Sequence, residues 1–420
     1  MEYDKMKGGC SPSVFARREF LSLTLSGLAA SAFASKSAVL NTPQSSADED
    51  WANVRAQFML KPGVIFMNNA SLGMPPAVVA QAVVRGYEAI SRDPIAAKHE
   101  LSDLIQQSVR PSLARFLGAN TNEIVLTRNA SEALHLAIMG LQLKPGEEVL
   151  LTNQEHPAMR QPWQYRARHH DIVVTEVAMP SPLHSAEDVV QRFAERISRR
   201  TRVLAFCHVT RGGHLYPVCA LAALARERGL VSLVDGAQAL GMLPVNVREF
   251  GCDLYAASLH KWMLGPIGTG LLYVREEIRE QVKSVYHADS TREQPNYDPI
   301  GTADLPLKAA LATAVDFIEK IGINTIAARN RFLSDHLKAQ LRAWPAAKIL
   351  SGATSELSAP GSTIFEIGST DAEAVVQRLA AHQNIHIDEH KRNGHNALRV
   401  STHFYNTTQE LDLVLEALRG

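Results

Sequence analysis

The chain has 420 residues, 46% of them apolar, enough to bury a large core in two or three domains, or in one large and one small. Its 43 basic and 43 acidic residues balance, and no basic stripe with interleaved aromatics occurs, which argues against nucleic-acid binding. The four cysteines, Cys10, Cys207, Cys219 and Cys252, make no Cys-x-x-Cys pair and no Cys/His metal spacing, and neither His169-His170 nor the "HIDEH" run (His386 to His390) has a partner cluster, so no metal site is expected.

At the N-terminus, "FARREFLSLTLSGLAASAFA" carries Arg17-Arg18, then Phe20-Leu21, then a mildly apolar stretch closing on Ala32-Phe33-Ala34. The stretch is too short and too weakly apolar for a stable membrane span. It resembles a twin-arginine export signal, 1–34, although Ala16 and Ser22 depart from the usual pattern. That resemblance implies a periplasmic protein exported already folded, after a cytoplasmic stage in which it takes up a cofactor. A linker or arm follows at 35–60, including the polar run "NTPQSSADED".

Beyond it the chain alternates. "EIVLT", "EVLLT", "DIVVTEV", "RVLAFCHV" and "GLVSLVD" are short runs rich in Val, Ile and Leu. Helical spacing occupies Ser131 to Gly140, Pro157 to His169, Ala186 to Ser198 and Pro217 to Arg228. Strands this apolar, separated by amphipathic helices, predict an α/β domain with a mostly parallel sheet sandwiched by helices, over 61–300. From about Thr302 the grammar changes. A long helical region (Ala303 to Trp344) leads to strands near Ser362 to Ile367 and Ala397 to Ser401, with helices at Asp371 to His382 and Gln409 to Leu418. That reads as a smaller α+β domain, 301–420.

In open α/β sheets, ligands sit beyond the carboxyl ends of the strands. Several polar residues fall there. "LTRNASEAL" puts Asn129, Ala130 and Ser131 at a strand-to-helix turn whose free N–H groups suit a phosphate, although Ser and Asn are also ordinary helix caps. His156 follows another strand, just before Pro157 opens a helix. Asp235 ends an apolar strand, where a carboxylate needs a positive partner to offset desolvation. Lys261 in "SLHKWMLGP" follows a later apolar run.

A phosphate-holding turn, a buried aspartate and a lysine at a strand end are what pyridoxal 5′-phosphate requires. The Lys261 amine forms a Schiff base with the aldehyde, and Asp235 keeps the pyridine nitrogen protonated. His156 fixes the ring plane and Gln238 donates beside the phenolic oxygen. Ser258 and His260 flank the lysine and help hold the phosphate.

These residues lie within "FMNNASLGMPP", "LTRNASEAL", "NQEHPA", "HVTRGGHLYPV", "LVDGAQALG", "SLHKWMLGPIGTGLLYV", "GTAD" and "LRVSTHFYNTTQELD". In that order they resemble the class V aminotransferase family of fold-type I pyridoxal-phosphate enzymes, from about Phe66 to the C-terminus. The resemblance implies Lys261 as the catalytic residue. It implies Ala130, Ser131, Ser258 and His260 at the phosphate, His156 on the ring face and Asp235 at the ring nitrogen. Thr210 takes a cofactor-side position. Thr302 reaches the phosphate of a neighbouring subunit, which implies a homodimer with active sites at its interface. Arg399 holds the substrate carboxylate, and Asn69 belongs either to the substrate pocket or to a turn. Arg211 departs from the family's usual Asn or Ser and reaches either an acidic substrate or the surface.

The family's desulfurases need a cysteine on the loop before the carboxylate-binding arginine, and "NIHIDEHKRNGHNALRVS" has none. "HKW" and "FMNNASLG" look closer to the isopenicillin-N-epimerase-like branch. The first expectation is an aminotransferase acting on an amino acid or peptide-like small molecule. Epimerase or C–S β-elimination lyase is the alternative, and a non-catalytic binder retaining the fold comes third.

Overall fold

The computed structural model describes residues 45–286, 297–298, 301–392 and 394–419. The export signal expected at 1–34 lies outside them.

Seven strands form one sheet: β1 (Ile124–Thr127), β2 (Glu148–Thr152), β3 (Val173–Val177), β4 (Thr201–Cys207), β5 (Val231–Asp235), β6 (Leu254–Ser258) and β7 (Gly270–Val274). Their order is β1-β7-β6-β5-β4-β2-β3. Every pairing is parallel except those of β7, which runs antiparallel between β1 and β6. Helices pack on both faces, so alternate side chains of one strand enter different cores. Leu204 and Phe206 join one cluster while Val203 and Ala205 join the other. This two-sided burial explains why the strands read as continuous apolar runs rather than as alternating ones. The strand β7 and the buried run of β6 complete a sheet whose five other members the sequence pattern marks.

Helix α1 (Ala130–Gly140) follows β1, and α2 (Pro157–His169) follows β2. The long helical region expected from Ala303 to Trp344 is three helices, Leu305–Ala309, Leu311–Ile321 and Ile323–Arg342. The last break falls at Gly322, whose φ of +89° lies in the left-handed region that glycine enters freely. Residues of the first two helices, Leu311 and Val315 among them, pack into the core of the large sheet.

A second sheet of four antiparallel strands is built from β8 (Ala347–Ile349), β9 (Ser362–Ile367), β10 (Asp388–Arg392) and β11 (His395–Ser401), in the order β10-β11-β9-β8. Its core takes Leu333, Leu337, Phe365, Leu398 and Leu415. Met67 belongs to the same core, and Ile65–Phe66 pair in parallel with Ile385–His386. The chain therefore passes through the second core before building the first, and this lays the "NNASLG" segment between the two sheets. Among the described residues no helix is long and apolar enough to cross a membrane.

Phe206, the residue before the last of β4, is fully buried. Truncation there removes a ring from a close-packed core, and Phe206→Ala is expected to cost about 3–5 kcal/mol. Denaturant unfolding of wild type and variant measures it.

Candidate active site

Because β1, β2, β4, β5 and β6 run the same way, their carboxyl ends share one edge of the sheet. There a cleft is lined by Ala130, Ser131, His156, Asp235, Gln238, Ser258 and Lys261, with Cys207, Val209 and Arg211. The first seven are residues expected from sequence and come from four strand ends, and the end of β4 supplies the last three.

Lys261 is half-buried in the turn after β6. Burial pulls its amine down to about 8, with Asp235 opposing the shift and Arg399 and Arg211 adding to it. The backbone of this turn is clamped. Gly73 donates its N–H to the His260 carbonyl at 2.8 Å, and a Cβ at Gly73 would overlap the Lys261 carbonyl oxygen. Only glycine allows that approach.

Asp235 ends β5, and one of its carboxylate oxygens accepts the Ala237 N–H at 3.0 Å. Burial raises its pKa, while the Ala237 hydrogen bond and the Lys261 cation lower it. A carboxylate destabilised by desolvation, on the wall of a cleft, is suited to a protonated ring nitrogen. His156 caps α2, its Nδ1 accepting the Ala158 N–H at 3.1 Å. Desolvation in the cleft, then repulsion from Lys261, Arg392, Arg211 and Arg399, lowers its pKa to about 4. The imidazole is thus neutral, with its proton on Nε2, and can lie flat on a ring. Gln238 donates Nε2–H to the Ala70 carbonyl at 2.8 Å and accepts from Trp262 Nε1 at 2.8 Å. Its second amide N–H is left for the cleft.

At the opening of α1, Ser258 Oγ accepts the Ala130 N–H at 3.0 Å and Asn129 Oδ1 accepts the Glu132 N–H at 2.8 Å. Ser131 stands between them with its own N–H beyond the reach of intrahelical partners, as at any helix start. A phosphate fits there. The donor set as a whole fits pyridoxal 5′-phosphate.

Five expected residues do not line this cleft, Arg399 among them. Thr210 Oγ1 is turned into its own loop, 3.2 Å from His214 Nδ1, and Val209 takes the cleft position instead. His260 is held through Nδ1 by the Thr269 carbonyl at 3.0 Å. Asn69 is fully buried, with Nδ2 3.5 Å from the Lys261 carbonyl and Oδ1 accepting the Tyr405 hydroxyl at 2.8 Å. It braces the lysine turn. Thr302 borders a separate cavity with Gly268 and Lys308, away from Lys261 of its own chain.

Arg399 is 2% exposed on β11. It also is not a wall of the cleft, yet lies near enough to depress Lys261. It ion-pairs with Asp388 directly across the β10–β11 register and reaches Asn68 Oδ1 at 3.3 Å. Burial lowers its pKa to about 10 against the pull of Asp388.

Two contributors escape the sequence reading. Asn68, beside the expected Asn69, is the asparagine that touches the arginine. Glu155 is buried behind the cleft and accepts from Thr152 Oγ1 at 2.7 Å and Cys207 Sγ at 2.8 Å. Burial and the nearby Asp235 push it up to about 7. Its signal was an acidic residue immediately after an apolar strand in "LLTNQEHP".

A family model described as Aminotransferase class-V matches residues 64–414. Isopenicillin N epimerase of Amycolatopsis lactamdurans is 33% identical over 391 residues, covering 88% of this chain and 98% of that protein. The Streptomyces clavuligerus isopenicillin N epimerase is 29% identical over 390 residues, covering 88% and 98%. Among solved structures, the complex between the cystine C–S lyase C-DES and its product cysteine persulfide aligns with a TM-score of 0.78 at 24% identity, covering 84% of this chain and 96% of that one.

The lowered Lys261 amine sets a pH dependence in the cofactor-free protein. Unfolded, it holds its proton up to about 10.5, and folded, only up to about 8. Between these values the unfolded chain binds more protons, so this group's penalty is full below 8 and relieved as pH rises. Stability is expected to gain from this group between pH 8 and 10.5, and the gain is expected to shrink in Lys261→Met, read by denaturant unfolding.

Proposed function

The chain belongs to the aminotransferase class-V family and is a pyridoxal-phosphate enzyme, and on that premise we propose that it epimerises an amino acid or amino-acid-containing metabolite at Cα. The observation that carries this reading is the alignment with the isopenicillin N epimerase of Amycolatopsis lactamdurans across 98% of that protein. It favours the expected alternative over transamination, which the sequence motifs put first.

The cofactor supplies an aldehyde that takes up the substrate amine and a protonated ring that draws off the electron pair left at Cα. The chain's own residues do the rest. Asp235 holds the ring nitrogen's proton. Arg399 orients the substrate carboxylate through its guanidinium fork. Lys261 Nζ, pulled down to about 8 by burial, suits a group that takes the proton from Cα on its own face. Inversion returns a proton from the opposite face, so Lys261 accounts for one of the two transfers and a donor across the ring plane supplies the other. Probable cysteine desulfurases are also among the relatives, 29% identical in Mycolicibacterium paratuberculosis, but the cysteines of this chain do not suit the persulfide route. Cys207 in the cleft wall donates its Sγ–H to Glu155, and burial pushes the thiol up, so it is no thiolate nucleophile.

Two further parts of the proposal rest on single features. Thr302 stands apart from Lys261 of its own chain, which supports a homodimer with a site shared between subunits. Arg17-Arg18 and the small-residue end at Ala34 support export to the periplasm.

Holo-protein incubated with amino acids in deuterated water is expected to place deuterium at Cα and to lose stereochemical purity, followed by NMR and chiral chromatography. Release of keto acid with the pyridoxamine form would restore the transaminase, and pyruvate with a freed β-group would make it a lyase. Lys261→Ala is expected to lower exchange by about a hundredfold or more. For export, replacing both arginines by lysine is expected to keep the protein out of the periplasmic fraction. Unchanged fractionation would remove the localisation.

A further inference from the structure

Arg211, in the "HVTRGG" turn, lines the cleft together with Lys261. Its bonds leave from one nitrogen. Nη2 donates to the Glu389 carbonyl at 2.7 Å, to Glu389 Oε1 at 3.0 Å and to Asp388 Oδ2 at 3.2 Å. That last oxygen is the one Arg399 also pairs with. Two guanidiniums therefore share a single carboxylate oxygen. The Nε groups of Arg211 and Arg399 are both buried without a hydrogen-bond partner, so each fork keeps an edge unspent.

A bidentate carboxylate needs two donors from one guanidinium edge, and one Asp388 oxygen cannot supply that to two arginines. Buried donors left unpaired are costly and are retained where a ligand completes them. The local charge points the same way. Arg211, Arg392, Arg399 and Lys261 all act on His156, whereas Asp388 and Glu389 are the carboxylates that pair with Arg211. Lys261 faces Asp235, so three arginines stand against the carboxylates of Asp388 and Glu389, an excess of positive charge on this side of the cleft. Because Arg211 and Arg399 meet on one oxygen, their Nη2 atoms stand no farther apart than two hydrogen bonds end to end. That spacing suits a short dicarboxylic chain.

We propose that Arg211 reads a second carboxylate on the substrate, next to the α-carboxylate held by Arg399, and so makes the enzyme selective for acidic amino acids such as aspartate or glutamate. Asp388 fills the gap between the two forks until substrate arrives. The inference rests on the Cα chemistry proposed above and deepens it by naming a substrate class.

Spectral titration of the holoenzyme with L-aspartate against L-asparagine, and with L-glutamate against L-glutamine, separates the possibilities, since each pair differs by one charge. The acid is expected to bind about tenfold or more tightly than its amide, the factor of one charge-assisted hydrogen bond. In Arg211→Gln that ratio is expected to fall to near one, and in Arg211→Lys to be partly restored. Equal constants for acid and amide in the wild type overturn the proposal while leaving the Cα chemistry intact. So does a loss in Arg211→Gln that is the same for both, which would make Arg211 a brace for Asp388 alone. No spectral response to any of the four amino acids overturns this proposal and leaves the Cα chemistry to larger amino-acid-containing metabolites.

Discussion

The site depends on one electrostatic constraint, an amine and a carboxylate held out of water on the walls of the same cleft. Burial lowers Lys261 and raises Asp235, and each opposes the other's shift. Neither is comfortable without the other or without a ligand between them. The surrounding structure keeps the lysine turn in place through one close backbone contact and a set of side-chain hydrogen bonds. Gly73 presses on the Lys261 turn, Asn69 ties that turn to Tyr405, and Gln238 bridges Ala70 to Trp262. The segment making these contacts is threaded through the second core by Met67 and the Ile65–Phe66 pairing. The second sheet thus reaches the cleft without lining it.

Much of this was legible because parallel strands impose a rule that sequence can express. Each strand is an apolar run, several runs end at or just before polar residues, and parallel pairing collects those ends along one edge. Asp235, Ser258, His156 and the Asn129-Ala130-Ser131 turn are found this way. None needs a long-range contact to be guessed, because the sheet supplies it. The helix of His156 is equally local, since Pro157 can only open a helix and the residue before it must cap.

The remainder was not legible because it turns on register and rotamer. That Asp388 faces Arg399 follows from the β10–β11 pairing, in which slipping one residue would put Asp388 on the other face of the sheet. "HIDEH" read as a loop hides this, since its charges mask a strand. Thr210 and Val209 are neighbours, and the turn's hydrogen bonds to His214 decide which of them enters the cleft. The same ambiguity separates Asn68 from Asn69. Residue type gave no preference in either pair.

His156 shows how one local choice reaches the chemistry. A ring that stacks on a cationic pyridine should itself carry no charge, yet an exposed histidine titrates near neutrality. Here the cap spends the Nδ1 lone pair on the Ala158 N–H, so protonating that nitrogen would break the helix start as well as add charge. The cations converging on the ring then oppose protonation a second time. The arginines near the cleft therefore add to the burial that already disfavours the imidazolium. Helix geometry and cleft electrostatics favour one protonation state by independent means.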